Sequence, residues 1–186
     1  TVSFEKGIPV KFNGEELEPV ELVDRVNKVG AKHGVGRIDM VENRLVGIKS
    51  REIYEAPAAE ILMTAHEQLE DMTLDRDTYH YKRLISEKYA ELTYYGLWFS
   101  PLRRSLDAFI EETQEGVNGR IKIKLYKGQS VVVGRQSDSS LYQFDLATYD
   151  EEDSFDHNAA PGFIKLWGLP TQTVAEIQNN NTDHGE

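Results

Sequence analysis

Apolar residues alternate with polar ones at the start of the chain, which is the period of a strand with one buried face. Val2 and Phe4 begin the alternation, Lys6 and Gly7 interrupt it, and it resumes over residues 8–12. An Asn-Gly pair follows, which is a second turn signal. The pattern therefore predicts a β-hairpin over residues 1–14.

Two more hairpins are predicted further along the chain. Over residues 37–55 apolar residues lie on both sides of a polar segment, so we expect two strands joined by a turn at residues 42–44. Over residues 119–133 apolar residues alternate with lysines, and valines return after a Lys-Gly turn at residues 127–128. This last hairpin has the clearest signal in the sequence.

Helical spacing of apolar residues marks four segments between these hairpins. They are expected over residues 19–33, from Pro57 to about residue 72, from about Asp75 to Gly96, and from Ser100 to Gly116. Because the helices do not alternate regularly with strands, the fold class is α+β. We expect a mixed or antiparallel sheet with hairpins and about four helices packed on it.

The remaining sequence is more polar. Residues 136–162 are rich in Ser, Asp, Asn and Gly and are expected to form a long surface loop. We expect residues 1–170 to form one domain. Residues 171–186 are expected to form a short C-terminal helix, signalled by a capping box at residues 173–176, followed by a polar, disordered tail.

Composition limits the possible functions. The 186 residues suit one domain, and 39% hydrophobic residues suffice for a core. A net charge of -11 argues against binding to nucleic acid or to an anionic membrane, because phosphates attract clustered Lys and Arg. The chain has no cysteine, which fits the reducing cytoplasm, and no apolar run long enough for a membrane span. It begins with Thr1, so we expect it to be part of a longer protein.

Common catalytic signatures are missing from the sequence. It contains no G-x-x-x-x-G-K-[ST], no G-x-S-x-G and no H-E-x-x-H. Its five histidines, at positions 33, 66, 80, 157 and 184, show no ligand spacing. The sequence therefore predicts neither a catalytic residue nor a metal ligand in this chain.

The most unusual segment is residues 32–57, where two glycines and several charges interrupt apolar residues. Gly34 and Gly36 allow tight backbone turns and a close approach to a ligand. One interpretation is an exposed hairpin with solvated charges. The other is a pocket for a zwitterionic ligand, because a free amino acid needs a carboxylate for its ammonium group and donors for its own carboxylate. Glu42 and Tyr54 could supply part of such a pocket.

A long collinear series of motifs resembles the C-terminal half of argininosuccinate synthases. It begins with Lys-His-Gly-Val-Gly-Arg-Ile-Asp at residues 32–39, followed by Val-Glu-Asn-Arg, Gly-Ile-Lys-Ser-Arg and Ile-Tyr-Glu-x-Pro up to residue 57. It continues through residues 90–101 and again through several short matches between residues 117 and 142. The resemblance implies that residues 1–170 are the C-terminal synthetase domain of such an enzyme.

The family joins citrulline and aspartate with ATP, through citrullyl-AMP, to give argininosuccinate, AMP and pyrophosphate. The resemblance implies that Glu42 and Tyr54 contact citrulline. Some members carry Gly and Thr where this chain has Glu52 and Ala56, which flank Tyr54. ATP, with Mg²⁺ expected beside it, is bound in the family mainly by an N-terminal domain with an S-G-G-x-D-T-S loop, and this loop is absent from the 186 residues.

Two functions therefore stay open. The first is the synthetase half of a cytoplasmic ligase of arginine biosynthesis, which the family pattern implies to be a homotetramer. Citrulline, aspartate and ATP are its implied partners, and neither nucleic acid nor membrane is expected. We expect this chain alone to be inactive. The alternative is a non-catalytic folding and oligomerisation module that binds no ligand on its own.

Overall fold

The computed structural model describes residues 1–143 and 156–182. The chain divides into two units, Thr1–Tyr142 and Gln143–Glu186, which are described separately. In the first unit the main sheet contains the five strands β1 (Val2–Glu5), β2 (Ile8–Phe12), β3 (Glu15–Glu16), β6 (Gly119–Tyr126) and β7 (Gln129–Gln136). Their order in the sheet is β3-β2-β1-β6-β7, and all neighbouring strands are antiparallel.

Four helices belong to the first unit. They are α1 (Pro19–Lys32), α2 (Pro57–Thr73), α3 (Arg76–Tyr94) and α4 (Pro101–Gln114). Helix α1 packs against β2, α2 packs against β1, β6 and β7, and α3 packs against α4. The starts of α3 and α4 lie where the sequence predicts them. The Asp75 side chain accepts backbone N–H groups in the first turn of α3, and the Ser100 side chain accepts the Arg103 N–H in the first turn of α4.

The core lies between the sheet and helices α1 and α2. It consists of two clusters of buried apolar side chains. The first contains Val2, Phe4, Ala65, Leu69, Val117 and Ile121, and the second contains Leu22, Val26, Val35, Ala58 and Ile61. Helix α2 contributes to both clusters, so it is the element that joins the sheet to α1.

A separate two-stranded hairpin connects α1 to α2. Its strands are β4 (Arg37–Asn43) and β5 (Lys49–Glu55). Within the described part of the chain, each of these strands pairs with the other and with no third strand. The predicted turn at residues 42–44 is wrong. The chain reverses at Arg44–Gly47 instead, where Gly47 has a φ of +83° and its N–H donates to the Arg44 carbonyl at 2.8 Å. Glu42 is consequently a strand residue.

In the second unit the described residues form one long helix, α5 (Ala159–Thr182). The expected loop therefore ends earlier than residue 162, and its residues 144–155 lie outside the described part. The short helix expected after residue 171 belongs to this longer helix, which includes part of the tail expected to be disordered. Residues 183–186 lie outside the described part, and the domain boundary at residue 170 stays a prediction.

The predicted α+β class is confirmed. The hairpins at both ends of the first unit and its four helices are present close to their expected positions. Among the residues that the structure describes, no helix combines the length and apolarity that a membrane span requires.

Candidate functional site

The β4–β5 hairpin carries both residues that the sequence assigns to a ligand site. Glu42 pairs with Ser50, and Ile38 pairs with Tyr54. Because side chains alternate between the faces of a strand, every second residue shares one face. That face contains Ile38, Met40, Glu42, Ser50, Glu52 and Tyr54. We call it the Glu42 face.

Glu42 and Tyr54 are in direct contact on this face. The Tyr54 hydroxyl donates to Glu42 Oε2 at 2.9 Å, which spans one intervening pair of residues. The Glu42 side chain is only 17% exposed, whereas Tyr54 is 41% exposed. The hydrogen bond to Glu42 raises the pKa of Tyr54 above its ordinary value, and desolvation and the negative charges of Glu42 and Glu52 add to the rise. Tyr54 is therefore held in its neutral, donating form.

Arg44 extends from the turn over the same face. Its Nε donates to Ser50 Oγ at 2.9 Å, and its Nη2 donates to Glu52 Oε1. Its Nε also lies 4.0 Å from Glu42 Oε1. Two carboxylates and one guanidinium thus lie within a few ångströms, and the face carries one net negative charge.

The opposite face of the hairpin has its own ion pair. Arg51 Nε and Nη2 donate to the two oxygens of Asp39 at 2.8 and 2.5 Å. The Arg51 guanidinium lowers the pKa of Asp39 below its ordinary value. Both side chains are exposed, and Val41 and Ile53 beside them are 64% and 70% exposed. Asp39 is therefore a carboxylate on the same strand as Glu42, but it is already paired with the Arg51 guanidinium.

Both ends of the hairpin are attached to the rest of the first unit. At the base, the Ala56 N–H donates to the Gly36 carbonyl at 2.8 Å, immediately before α2 begins. Near the turn, the Tyr94 hydroxyl at the end of α3 donates to the Asn43 carbonyl at 3.3 Å. These contacts fix the hairpin relative to α2 and α3, and so they set the position of the Glu42 face.

The chemistry available here is recognition of a cation by a carboxylate. Glu42 uses one oxygen to accept from Tyr54, and its other oxygen has no hydrogen-bond donor within range in the described structure. The excess negative charge favours an ammonium group over a phosphate. In the described ranges no three His, Asp or Glu side chains are grouped as a metal site requires.

The structure thus brings Glu42 and Tyr54 together, while their contact with a ligand stays a prediction. Gly34 and Gly36 both have positive φ, but the Gly36 backbone approaches Pro57. Sequence reasoning missed Arg44, Ser50 and Glu52 as neighbours of the pair. Gly47 could have located the turn in the sequence. A turn that ends at this glycine gives the register in which residues 42, 50, 52 and 54 share one face.

Comparisons with known proteins agree with the resemblance. A family model described as "Arginosuccinate synthase C-terminal domain" matches residues 1–174. The argininosuccinate synthase of Crocosphaera subtropica is 61% identical over 175 residues, which are 94% of this chain and 44% of that protein. That of Oceanobacillus iheyensis is 60% identical over 176 residues, which are 95% of this chain and 42% of that protein. The chain therefore spans less than half the length of these curated relatives.

Proposed function

This chain belongs to the argininosuccinate synthase family, and on that premise we propose that it forms the citrulline-binding half of a ligase of arginine biosynthesis. The complete enzyme would condense citrulline and aspartate with ATP, through citrullyl-AMP, to give argininosuccinate, AMP and pyrophosphate. It would act in the cytoplasm as a homotetramer. The observation that carries the proposal is the Glu42–Tyr54 pair on an open, negatively charged face.

Glu42 is proposed to accept the α-ammonium group of citrulline. Within residues 1–143 and 156–182 no donor lies at hydrogen-bond distance from its Oε1, and its side chain is largely buried, so an ammonium ion would form a charge-assisted bond in a partly desolvated place. Tyr54 holds the carboxylate by donating to Oε2, and Oε1 is the oxygen proposed to accept from the ligand. Tyr54 itself is 41% exposed, so it is proposed to contact the ligand as well.

ATP does not fit the residues of this hairpin. The S-G-G-x-D-T-S loop is absent from the 186 residues, and Glu42 and Glu52 would repel a polyphosphate. We therefore assign the ATP and Mg²⁺ contacts to residues outside this chain and no phosphate-transfer step to residues within it. The role left for this chain is to bind and orient the amino acid.

Calorimetric titration with citrulline tests the proposal. We expect the chain to bind citrulline in the millimolar range, because half of a site makes only part of the contacts. Glu42→Gln should weaken binding about tenfold or more, since it removes the charge while keeping the shape. Asp39→Asn is the matched control, because it removes a carboxylate from the other face of the same strand. No heat from the unaltered chain, or equal losses in both variants, would contradict the proposal.

The chain alone is expected to release no pyrophosphate from ATP in the presence of citrulline and aspartate. The reason is the missing phosphate-binding loop. A coupled pyrophosphate assay measures this directly, and a complete relative such as the Crocosphaera subtropica enzyme serves as the positive control. If the 186 residues did catalyse turnover, and Glu42→Gln abolished it, the assignment of the ATP contacts to residues outside this chain would be wrong.

The second candidate function, an oligomerisation module without ligand binding, is favoured by α5. Its large apolar side chains are more than 40% exposed. They are Phe163, Ile164, Leu166, Trp167, Leu169, Val174 and Ile177. Such a surface is typical of a helix that contacts another protein surface. Citrulline binding that depends on Glu42 would favour the first function, whereas self-association without binding would favour the second.

A further inference from the structure

The face of the β4–β5 hairpin opposite to the Glu42 face is unusually apolar for a surface in water. Val41 and Ile53 lie on it and are 64% and 70% exposed. The turn at the end of the hairpin adds Leu45, Val46 and Ile48, which are 64%, 77% and 65% exposed. Exposed apolar side chains that cluster in this way mark surfaces that contact another protein. We call this surface the Asp39 face, and its strand residues are Arg37, Asp39, Val41, Asn43, Lys49, Arg51, Ile53 and Glu55.

The hairpin lacks a second layer of its own. Within the described residues β4 and β5 pair with no third strand, and both buried clusters are formed by residues outside the range 37–55. A two-stranded hairpin is at best marginally stable in water unless it packs against another element. The Glu42 face carries the polar candidate site, so the Asp39 face is the one left for such packing.

The charges of the Asp39 face are balanced in pairs. Arg37 Nε lies 3.4 Å from Glu55 Oε1, and Arg51 Nη2 lies 2.5 Å from Asp39 Oδ2. On the Glu42 face, by contrast, two carboxylates share one guanidinium. Two copies of the Glu42 face would therefore repel each other, whereas two copies of the Asp39 face would not.

The strand register makes the Asp39 face complementary to a copy of itself. Asp39 pairs with Ile53, and Val41 pairs with Arg51. A two-fold axis parallel to the strands would lay β4 of one copy over β5 of the other, so the same residues would be opposed between the copies. Asp39 of one copy would then lie beside Arg51 of the other, and Val41 beside Ile53. No like charges are opposed in this arrangement.

We propose that the Asp39 face is a self-association surface, on which a second copy of this chain docks face to face about a two-fold axis. The contact gives each hairpin the packed layer that it lacks and leaves the Glu42 face open to an amino acid. It rests on the oligomer of the proposed function and not on citrulline binding. Two strands of seven residues cover about 24 Å by about 10 Å, which is small for an interface, so the expected dissociation constant is micromolar.

Sedimentation velocity of the 186-residue chain from about 1 to about 500 μM tests the contact. Val41→Thr/Ile53→Thr keeps β-branched side chains, which suit the strands, but makes the face more polar. We expect it to raise the dissociation constant about tenfold or more. Val20→Thr is the matched control, because Val20 is 84% exposed on α1. A chain that stays monomeric throughout, or a double variant that associates like the control, would overturn the proposal.

Charge reversal tests the two-fold arrangement itself. Asp39→Arg leaves two guanidinium groups where the ion pair was, and Arg51→Asp leaves two carboxylates. Each variant alone should associate about tenfold more weakly than the unaltered chain, because its copies repel each other. An equimolar mixture of the two should recover association to within about threefold, since each copy now meets its opposite charge. Absence of recovery would overturn the two-fold contact.

The double variant Asp39→Arg/Arg51→Asp keeps the charge reversal from being confused with a damaged hairpin. It restores the ion pair within each hairpin in the reverse order, so it should associate like the unaltered chain. A circular dichroism spectrum equal to that of the unaltered chain is the control for folding, and all the altered side chains lie outside both buried clusters. A well-folded double variant that stays monomeric would overturn the proposal.

The outcomes also separate this contact from the rest of the proposed function. Trp167 on α5 is 74% exposed. Self-association that survives every hairpin variant and disappears in Trp167→Ser would assign the contact to α5 and overturn the proposal. Titration with citrulline reads the Glu42 face, so absence of binding there would count against the proposed function alone.

Discussion

Gly36→Ala is expected to destabilise the first unit by about 3 kcal/mol. Gly36 has a φ of +81°, which L side chains rarely adopt. A Cβ at this position would lie 2.6 Å from both N and Cα of Pro57, where backbone atoms cannot move aside as a flexible side chain could. The Ala56 N–H bond to the Gly36 carbonyl would be stretched or lost at the same time. Urea unfolding followed by circular dichroism measures the change.

Gly14→Ala is the matched control for this prediction. Gly14 has a φ of +89°, but a Cβ there would meet nothing within 4 Å. Its substitution should therefore cost about 1 kcal/mol, which is the backbone strain alone. The difference between the two variants isolates the contact with Pro57. Equal losses would show that the close approach at the base of the hairpin contributes no free energy.

The same contact links stability to the candidate site. The base of the hairpin and the start of α2 meet at Gly36 and Pro57, so a displaced base would move the whole Glu42 face. The close approach of Pro57 is thus sufficient to require a glycine at position 36. Sequence reasoning expected tight backbone turns at this glycine, but only the structure identifies Pro57 as the neighbour that requires it.

Burial explains which elements the sequence could predict. The strands of the first and last hairpins have one face on the core, so alternation of apolar residues such as Val2, Phe4 and Ile121 reports their register. Helix starts could be located because Asp75 and Ser100 accept backbone donors that are local in sequence. In each case the cause lies within a few residues of the element it defines.

The register of the β4–β5 hairpin could not be predicted from the pattern of apolar residues. Leu45 and Val46 are apolar and were expected to belong to a strand, yet they are 64% and 77% exposed in the turn. Neither face of this hairpin packs into the core clusters, so apolar alternation does not define its register. The positive φ of Gly47 and its bond to Arg44 define it instead. The error displaced Glu42 into a turn and concealed its shared face with Glu52.

Contacts between distant helices were also beyond sequence reasoning. Glu70 on α2 is 5% exposed, forms an ion pair with Lys82 Nζ at 3.0 Å and accepts a hydrogen bond from Gln114 Nε2 at 2.7 Å. Gln114 Oε1 in turn lies 2.8 Å from His66 Nε2. These residues come from α2, α3 and the end of α4. No local sequence pattern predicts that they are in contact. The network joins the three helices around one buried carboxylate.

Lys82→Met is expected to destabilise the first unit by about 3 kcal/mol, because it leaves the Glu70 carboxylate without its ammonium partner. The Lys82 side chain is 13% exposed and that of Glu70 is 7% exposed, so water cannot readily replace the lost charge. Lys88→Met is the matched control on the same helix. Lys88 pairs with Glu91 at 2.6 Å on the exposed surface, and its loss should cost no more than about 0.5 kcal/mol.

A double-mutant cycle decides whether the loss comes from the unpaired charge. Lys82→Met/Glu70→Gln removes both charges and keeps an acceptor for Gln114, so it should recover at least about half of the stability that Lys82→Met loses. Urea unfolding of the four proteins gives the coupling free energy. Additive losses would mean that Lys82 acts through its methylene packing and that the ion pair is unimportant. Recovery would identify Glu70 as the charge around which α3 is attached to α2, and hence as a remote support for the Tyr94 contact with the hairpin.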